Sequence, residues 1–250
     1  MDNDNKSNLR LQVFMAHSGV ASRRKCEFLI SEGYVKVNGS VVTEMGVRVN
    51  ADDTVTYKGR VLNIINKKLY IALNKPPLYL CSNSDPQGRS LAIDLIKNDF
   101  SDRLYNVGRL DYLSTGLIFF TNDGNFTKIV AHPSSGIEKE YVVETKQAID
   151  EQILLDFMKG VTIEGEKYKL HSYKYKTKFK VKLILLEGKN REIRRFFQSR
   201  NMKIRKLHRV RIGIVQIENI PSGSYRYLTK KEVSWFINKK RRQNKDDNCN

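Results

Sequence analysis

Leu117-Ile118-Phe119-Phe120 is an apolar run opened by Gly116 and closed by Thr121-Asn122-Asp123-Gly124. A short apolar run bounded by turn formers reads as a buried strand, and a buried strand obliges the chain around it to build a sheet with covering elements. Strand-like and helix-like segments do alternate on both sides of it. Strands are expected at Leu69–Leu73, where Asn74-Lys75-Pro76-Pro77 stops the run, and at Leu117–Thr121, Lys139–Glu144, Phe179–Leu186, Arg211–Ile217 and Tyr225–Leu228. Helices are expected at Leu91–Ile96, Phe126–Ala131, Asp150–Lys159, Arg191–Arg200 and Lys230–Asn238. Asp150 is a candidate N-cap, and Ile153, Leu154, Phe157 and Met158 share one helical face. Hairpin-like strands with interspersed helices point to an α+β fold with a mixed, largely antiparallel sheet flanked by helices.

The first sixty residues read differently. After a polar start, residues 1–8, expected to be disordered, come two short amphipathic helices, Leu9–His17 and Ser22–Glu32, the second capped by Ser22 and ended by Gly33. Tyr34–Val37 then alternates into Asn38-Gly39, a strong hairpin signal, with short strands at Val41-Val42, Val47–Val49 and Thr54–Tyr57. This predicts a small two-helix, antiparallel-strand domain over residues 9–62, a linker over 63–68, a larger domain over 69–238 and a basic disordered tail over 239–250.

Charge narrows the partners. The chain has 250 residues and a net charge of +18, and between Lys180 and Arg211 twelve Lys or Arg face only Glu187 and Glu192. Ile193, Phe196 and Phe197 fall on one helical face, and the arginines around them leave a cationic side. A polyanion such as nucleic acid is the expected partner. Apolar runs are far short of the roughly 20 residues that cross a bilayer. The start lacks the apolar stretch of a secretory signal, so the expected location is the cytoplasm. Cys26, Cys81 and Cys249 are isolated, and His17, His132, His171 and His208 lack ligand spacing, which disfavours disulfides and a metal site.

Two segments carry the functional signal. Ser22-Arg23-Arg24-Lys25 opens a helix, where backbone N–H groups, a hydroxyl and Arg forks suit a phosphate; a solvated helix start reads equally well. Taken with Arg10-Leu11, Gly19, Leu29-Ile30, Gly33, Val35, Val37 and Asn38-Gly39, the segment resembles the S-four-type RNA-binding domain. That resemblance implies that Arg10, Ser22, Arg23, Arg24 and Lys25 grip structured RNA by backbone and shape.

The second segment is Gly108-Arg109-Leu110-Asp111, with Ser114 three residues on and Gly116 five on. Read bare, Asp111 is a turn or cap residue. The pattern, continued by Leu117 and by Thr121-Asn122-Asp123-Gly124, resembles the signature of RsuA-type ribosomal RNA pseudouridine synthases, the branch with an N-terminal S-four-type domain. Lys75-Pro76, Lys139-Glu140-Tyr141, Glu187–Phe196, Leu207–Gly213 and Gly223–Leu228 match further family elements in order, so the resemblance runs from about residue 9 to 237. Two departures are Ser114, where Thr is usual, and Ile214, where Pro is usual.

The resemblance implies isomerisation of uridine to pseudouridine without a cofactor. It makes Asp111 the nucleophile, attacking ribose or the uracil ring or assisting a glycal route. A nucleophilic carboxylate must carry its charge, and the resemblance gives Arg194 the role of its ion-pair partner. Tyr141 would stack on the flipped uracil, and Arg109 would fill the gap that the everted nucleotide leaves. Arg191, Arg195, Lys206 and Arg209 are expected to contact RNA. Lys75 is counted with them, at a strand end that shapes the pocket. The expected partner is a stem-loop of pre-ribosomal or free ribosomal RNA, met by a monomer without metal or membrane. The large subunit is favoured by the Thr121–Gly124 wording and the basic tail. The competing readings are a non-catalytic RNA-binding or ribosome-assembly factor that keeps the fold, and a charge-driven DNA binder.

Overall fold

The computed structural model describes residues 8–247, with side chains through Lys239; the expectation for residues 1–7 and the end of the tail, residues 248–250, lie outside the described residues. The chain divides into two compact units, Met1–Lys68 and Leu69–Asn250.

The first unit runs β1 (Leu9–Arg10), α1 (Leu11–His17), α2 (Arg23–Ser31), β2 (Val35–Val37), β3 (Ser40–Val41), β4 (Arg48–Val49), β5 (Val55–Tyr57) and β6 (Arg60–Val61). An antiparallel sheet in the order β3-β2-β5-β6 and a separate β1–β4 pair enclose a core of Leu11, Phe14, Met15, Cys26, Leu29, Ile30, Val35, Val49 and Val55. Ser22 caps α2 by accepting from the Lys25 N–H at 3.2 Å. Asn38 and Gly39 both hold positive φ, 51° and 86°, as a two-residue hairpin of this twist demands. Two expectations change. Leu9 and Arg10 are extended because they pair with Val49 and Arg48, so α1 starts at Leu11. The segment read as a linker is partly tied down: Ile64 packs on this unit's core and the Ile65 N–H donates to the His17 carbonyl at 3.1 Å.

The second unit runs β7 (Tyr70–Lys75), β8 (Tyr105–Val107), β9 (Thr115–Thr121), α3 (Gly124–Ala131), β10 (Lys139–Thr145), α4 (Glu151–Lys159), β11 (Val161–Ile163), β12 (Glu166–Tyr168), β13 (Ser172–Thr177), β14 (Lys180–Leu185), α5 (Glu192–Ser199), β15 (Ile204–Ile212), β16 (Val215–Gln216), β17 (Tyr225–Tyr227) and α6 (Lys230–Asp247). Its main sheet has the order β13-β14-β10-β15-β9-β7-β17, with β8 on β9 and β16 on β15. The β15–β9 pairing is parallel and its neighbours are antiparallel, so the sheet is mixed and largely antiparallel. The apolar run on β9 is buried on both faces. Ile118 and Phe120 join the cluster under α4 and α5, where Phe157 stacks on Phe196 at 3.8 Å; Leu117 and Phe119 join the cluster under α3 and α6.

Three further expectations change in this unit. Leu91–Ile96 is not an α-helix but one 3-10 turn, Ala92–Leu95, whose Asp94 carboxylate accepts from the Leu91 N–H. The strand expected over Arg211–Ile217 begins at Ile204 and breaks after Ile212, its last part becoming β16. The tail is not disordered as far as Asp247: residues 230–247 hold neither Gly nor Pro, and Lys, Arg and Gln are good helix formers, so the helix seated by Phe236 continues through the basic segment. No helix of the described residues is long and apolar enough to cross a membrane.

Candidate active site

The family-like signature segment folds as a loop between β8 and β9. Leu110 is buried and its N–H donates to the Cys81 Sγ at 3.3 Å, which pins the loop from beneath. A turn follows, closed by the Ser114 N–H on the Asp111 carbonyl at 3.0 Å, and it presents the Asp111 carboxylate. Arg194, eighty-three positions on and carried by α5, comes to it from the other side: Nε lies 3.3 Å from Asp111 Oδ2. Its Nη2 donates to the Ser114 Oγ at 3.0 Å. The hydroxyl at position 114 therefore holds the guanidinium, a task Ser performs as Thr would. The pair is partly shielded, with side chains 16% exposed for Arg194 and 28% for Asp111. Burial pulls the Arg194 guanidinium below its ordinary value, and the Asp111 carboxylate pulls it back.

Asp111 opens onto a cleft of about 260 Å³. Leu110, Leu185, Ile193 and Leu207 give it apolar walls, and Arg109 and Arg191 stand exposed at its edge. Tyr141 lines it from β10, nearly buried. Behind Tyr141 lies Arg209, its cross-strand partner on β15. Arg209 Nε donates to the Leu117 carbonyl at 2.6 Å and Nη1 to the Tyr141 hydroxyl at 3.4 Å. The next residue across is Gly116 on β9, so Tyr141, Arg209 and Gly116 form one row over three strands.

The structure brings Asp111, Arg194, Tyr141, Arg109, Arg191 and Arg209 together around this cleft. Two cations expected to contact RNA are not on the outer surface. Arg209 is 4% exposed, so it is held inside the cleft wall rather than where a phosphate would meet it. Lys75 is fully buried, its Nζ donating to the Pro76 and Tyr79 carbonyls, because the strand end folds back over it. Arg195 is half-buried and paired with Glu164 at 3.1 Å, and Lys206 is exposed on β15; neither lines the cleft. In the first unit Arg10, Ser22, Arg23, Arg24 and Lys25 are all exposed, and the Lys25 ammonium lies 4.0 Å from the Phe28 ring.

Residues that the sequence reading left without a role also line the cleft. Lys139, two positions before Tyr141 and so on the same strand face, is one; its spacing was a usable signal. Glu192, buried at the start of α5, is another; burial raises its carboxyl above the ordinary range, against the pull of the Lys189 N–H. The Thr121–Gly124 element has a structural task instead. Asn122 accepts from the Leu69 N–H, the Thr121 hydroxyl donates to the Leu69 carbonyl, and Asp123 caps α3 while accepting from the Tyr70 hydroxyl. It fastens β9 to β7 and says nothing about which RNA is bound.

Burial pushes the Lys75 ammonium down from 10.5 to about 8, with Arg209 adding repulsion and Cys81 and Asp111 opposing. Between those two values the unfolded chain holds a proton that the folded chain has released, so Lys75 makes stability rise with pH there. Thermal unfolding of the protein against Lys75→Met is therefore expected to show the unsubstituted chain gaining on the variant from about pH 8 to 10. A pH-independent difference would mean that Lys75 keeps its ordinary value.

Comparison with known proteins gives a consistent picture. Residues 69–199 match the family model described as RNA pseudouridylate synthase, and residues 9–55 match the S4 domain. A Borreliella burgdorferi protein named as an uncharacterized RNA pseudouridine synthase is 41% identical over 96% of this chain and 97% of its own. The Bacillus subtilis ribosomal large subunit pseudouridine synthase B is 38% identical over 90% of this chain and 93% of its own. A crystal structure of a pseudouridylate synthase superposes with a TM-score of 0.68 at 28% identity, covering 91% of this chain and 99% of that one.

Proposed function

The chain belongs to the RNA pseudouridylate synthase family, and from that premise we propose that it isomerises a uridine of large-subunit ribosomal RNA with Asp111 as the reacting carboxylate. The observation that carries the reading is the Asp111–Arg194 pair at the mouth of a cleft walled by Tyr141 and apolar side chains. A pure RNA binder has no use for a carboxylate facing its polyanionic partner. An isomerase needs one that stays charged, fixed by a guanidinium, beside a surface on which a planar ring can lie. The cleft is too narrow for a helix of RNA, so the uridine must leave its stack to enter, which costs a few kcal/mol. Exposed cations supply phosphate contacts that offset this cost, Arg109 and Arg191 at the cleft and Arg23, Arg24 and Lys25 on the S4 domain. The large-subunit assignment rests on the names of the relatives, the Bacillus subtilis protein among them.

Modification maps of ribosomal RNA from cells with and without the gene test this directly. The expected result is the loss of pseudouridine at a large-subunit position; loss only in small-subunit RNA would move the substrate, and unchanged maps would remove the reading. The S4 domain's part has its own test. Changing Arg23 and Arg24 to Gln is expected to weaken RNA binding and lower the slope of affinity against salt by about one unit per charge, leaving the single-turnover rate at saturating enzyme unchanged. An unaltered salt slope would count against that surface.

A further inference from the structure

Two buried cations line the cleft, and neither forms an ion pair with a carboxylate among the described residues. Lys139 is 8% exposed, and its Nζ donates to the Leu186 carbonyl at 3.2 Å. Arg209 is tied down by Nε and Nη1, while its Nη2 is buried without a hydrogen-bond partner among the described residues. A buried cation is costly unless an anion meets it, and two cations near one another repel. Arg209 and Lys239 act on Lys139 by repulsion, and Glu192 and Glu187 offset this from α5 and the loop before it. Uridine itself is neutral, but the reaction makes an anion at this place.

We propose that Lys139 and Arg209 form an anion subsite for the uracil ring, holding the negative charge the ring carries once its bond to ribose opens. The inference rests on the isomerase reading. The bond between uracil N1 and ribose C1′ breaks and its electron pair stays with the ring, spread over N1 and the flanking carbonyl oxygens. The sugar carbon is satisfied by a bond from an Asp111 carboxylate oxygen, or by the C2′–H pair with that proton passing to Asp111. The ring then turns and an electron pair at C5 forms the C5–C1′ bond, either as the Asp111–C1′ bond breaks with its pair returning to the carboxylate or as Asp111 gives its proton back to C2′; the C5 proton then passes to water and N1 takes one up. On both routes the ring is anionic between the two carbon–ring bonds. The position of the cations favours the base over a phosphate. They lie beside Tyr141 among apolar walls, whereas phosphates belong at the wet rim with Arg109 and Arg191. Burial pushes Lys139 down to about 8, so it is still mostly protonated at neutral pH and gains most when an anion arrives.

The test compares Lys139→Gln with the unsubstituted protein on a fragment bearing the mapped uridine, and on the same fragment with 5-fluorouridine there. The fluorinated ring is more acidic and holds negative charge with less help. Lys139→Gln is expected to slow single-turnover conversion of uridine by about 100-fold, the loss usual for one donor to a developing anion, with RNA affinity unchanged. Opening of the 5-fluorouridine bond should slow by a smaller factor, and Lys139→Arg should recover part of the uridine rate. Arg209→Lys carries the same comparison if Lys139→Gln lowers the unfolding temperature enough to lose the fold. Equal slowing on both rings, or an unchanged rate, would overturn the subsite. Weaker binding with a reduced salt slope would overturn it in favour of a phosphate contact. Inactivity of the unsubstituted protein on every ribosomal RNA would instead remove the isomerase reading, an outcome separate from these.

Discussion

Asp111→Ala is expected to end uridine conversion while RNA affinity stays within about threefold of the original. Loss of a nucleophile commonly lowers turnover by roughly 10⁴-fold or more, because the remaining groups only bind and orient. Affinity should persist because the cations that meet phosphate, Arg109, Arg191 and those of the S4 domain, are not held by Asp111. Asp111→Asn removes the charge and keeps the shape, so its equal inactivity would separate chemistry from packing. Arg194 would still donate to Ser114 in either variant, which keeps the tie between α5 and the loop, and a thermal melt checks that the fold is intact. Conversion by Asp111→Ala at the original rate would end the assignment of the reacting carboxylate.

The second large effect is on stability. Gly116 sits at φ +109°, where side chains are strained, and a Cβ there would lie 2.6 Å from the Arg209 backbone nitrogen and against its carbonyl. The neighbour is backbone on a central strand and cannot swing away. Backbone strain and overpacking each cost about 1–3 kcal/mol, so Gly116→Ala is expected to lose about 4 kcal/mol. That is a large share of the roughly 5–15 kcal/mol that holds a domain together, and it corresponds to about 10 °C in the unfolding temperature of a unit this size. The same substitution pushes Arg209 away from Tyr141, so activity should fall in whatever fraction stays folded. A melt within about 2 °C of the original would mean that β9 and β15 part easily, against the close pairing seen here.

How much of this was legible in the sequence differs by residue. The buried strand was plain, because four apolar residues between Gly116 and Thr121 leave little choice. So were the Ser22, Asp150 and Asn38-Gly39 signals, each a local rule obeyed locally. β13 alternates Tyr173-Lys174-Tyr175-Lys176, and the β11–β12 hairpin turns at Glu164-Gly165; both carried readable patterns that the surrounding charge masked. Lys75 and Arg209 show where charge misleads. A cation in a basic stretch reads as surface, and only the fold shows that one is wrapped by carbonyls and the other wedged between strands. The Asp111–Arg194 contact spans a separation no spacing rule reaches; the pairing came from family resemblance, and the 3.3 Å distance from the fold.

The most direct test of the central claim is to incubate purified protein with transcribed large-subunit RNA, treat it with carbodiimide, and map the stops by primer extension. The account requires a stop at a uridine that depends on the protein, is absent with Asp111→Ala, and needs no added cofactor. No protein-dependent stop at any uridine, with RNA demonstrably bound, would contradict it.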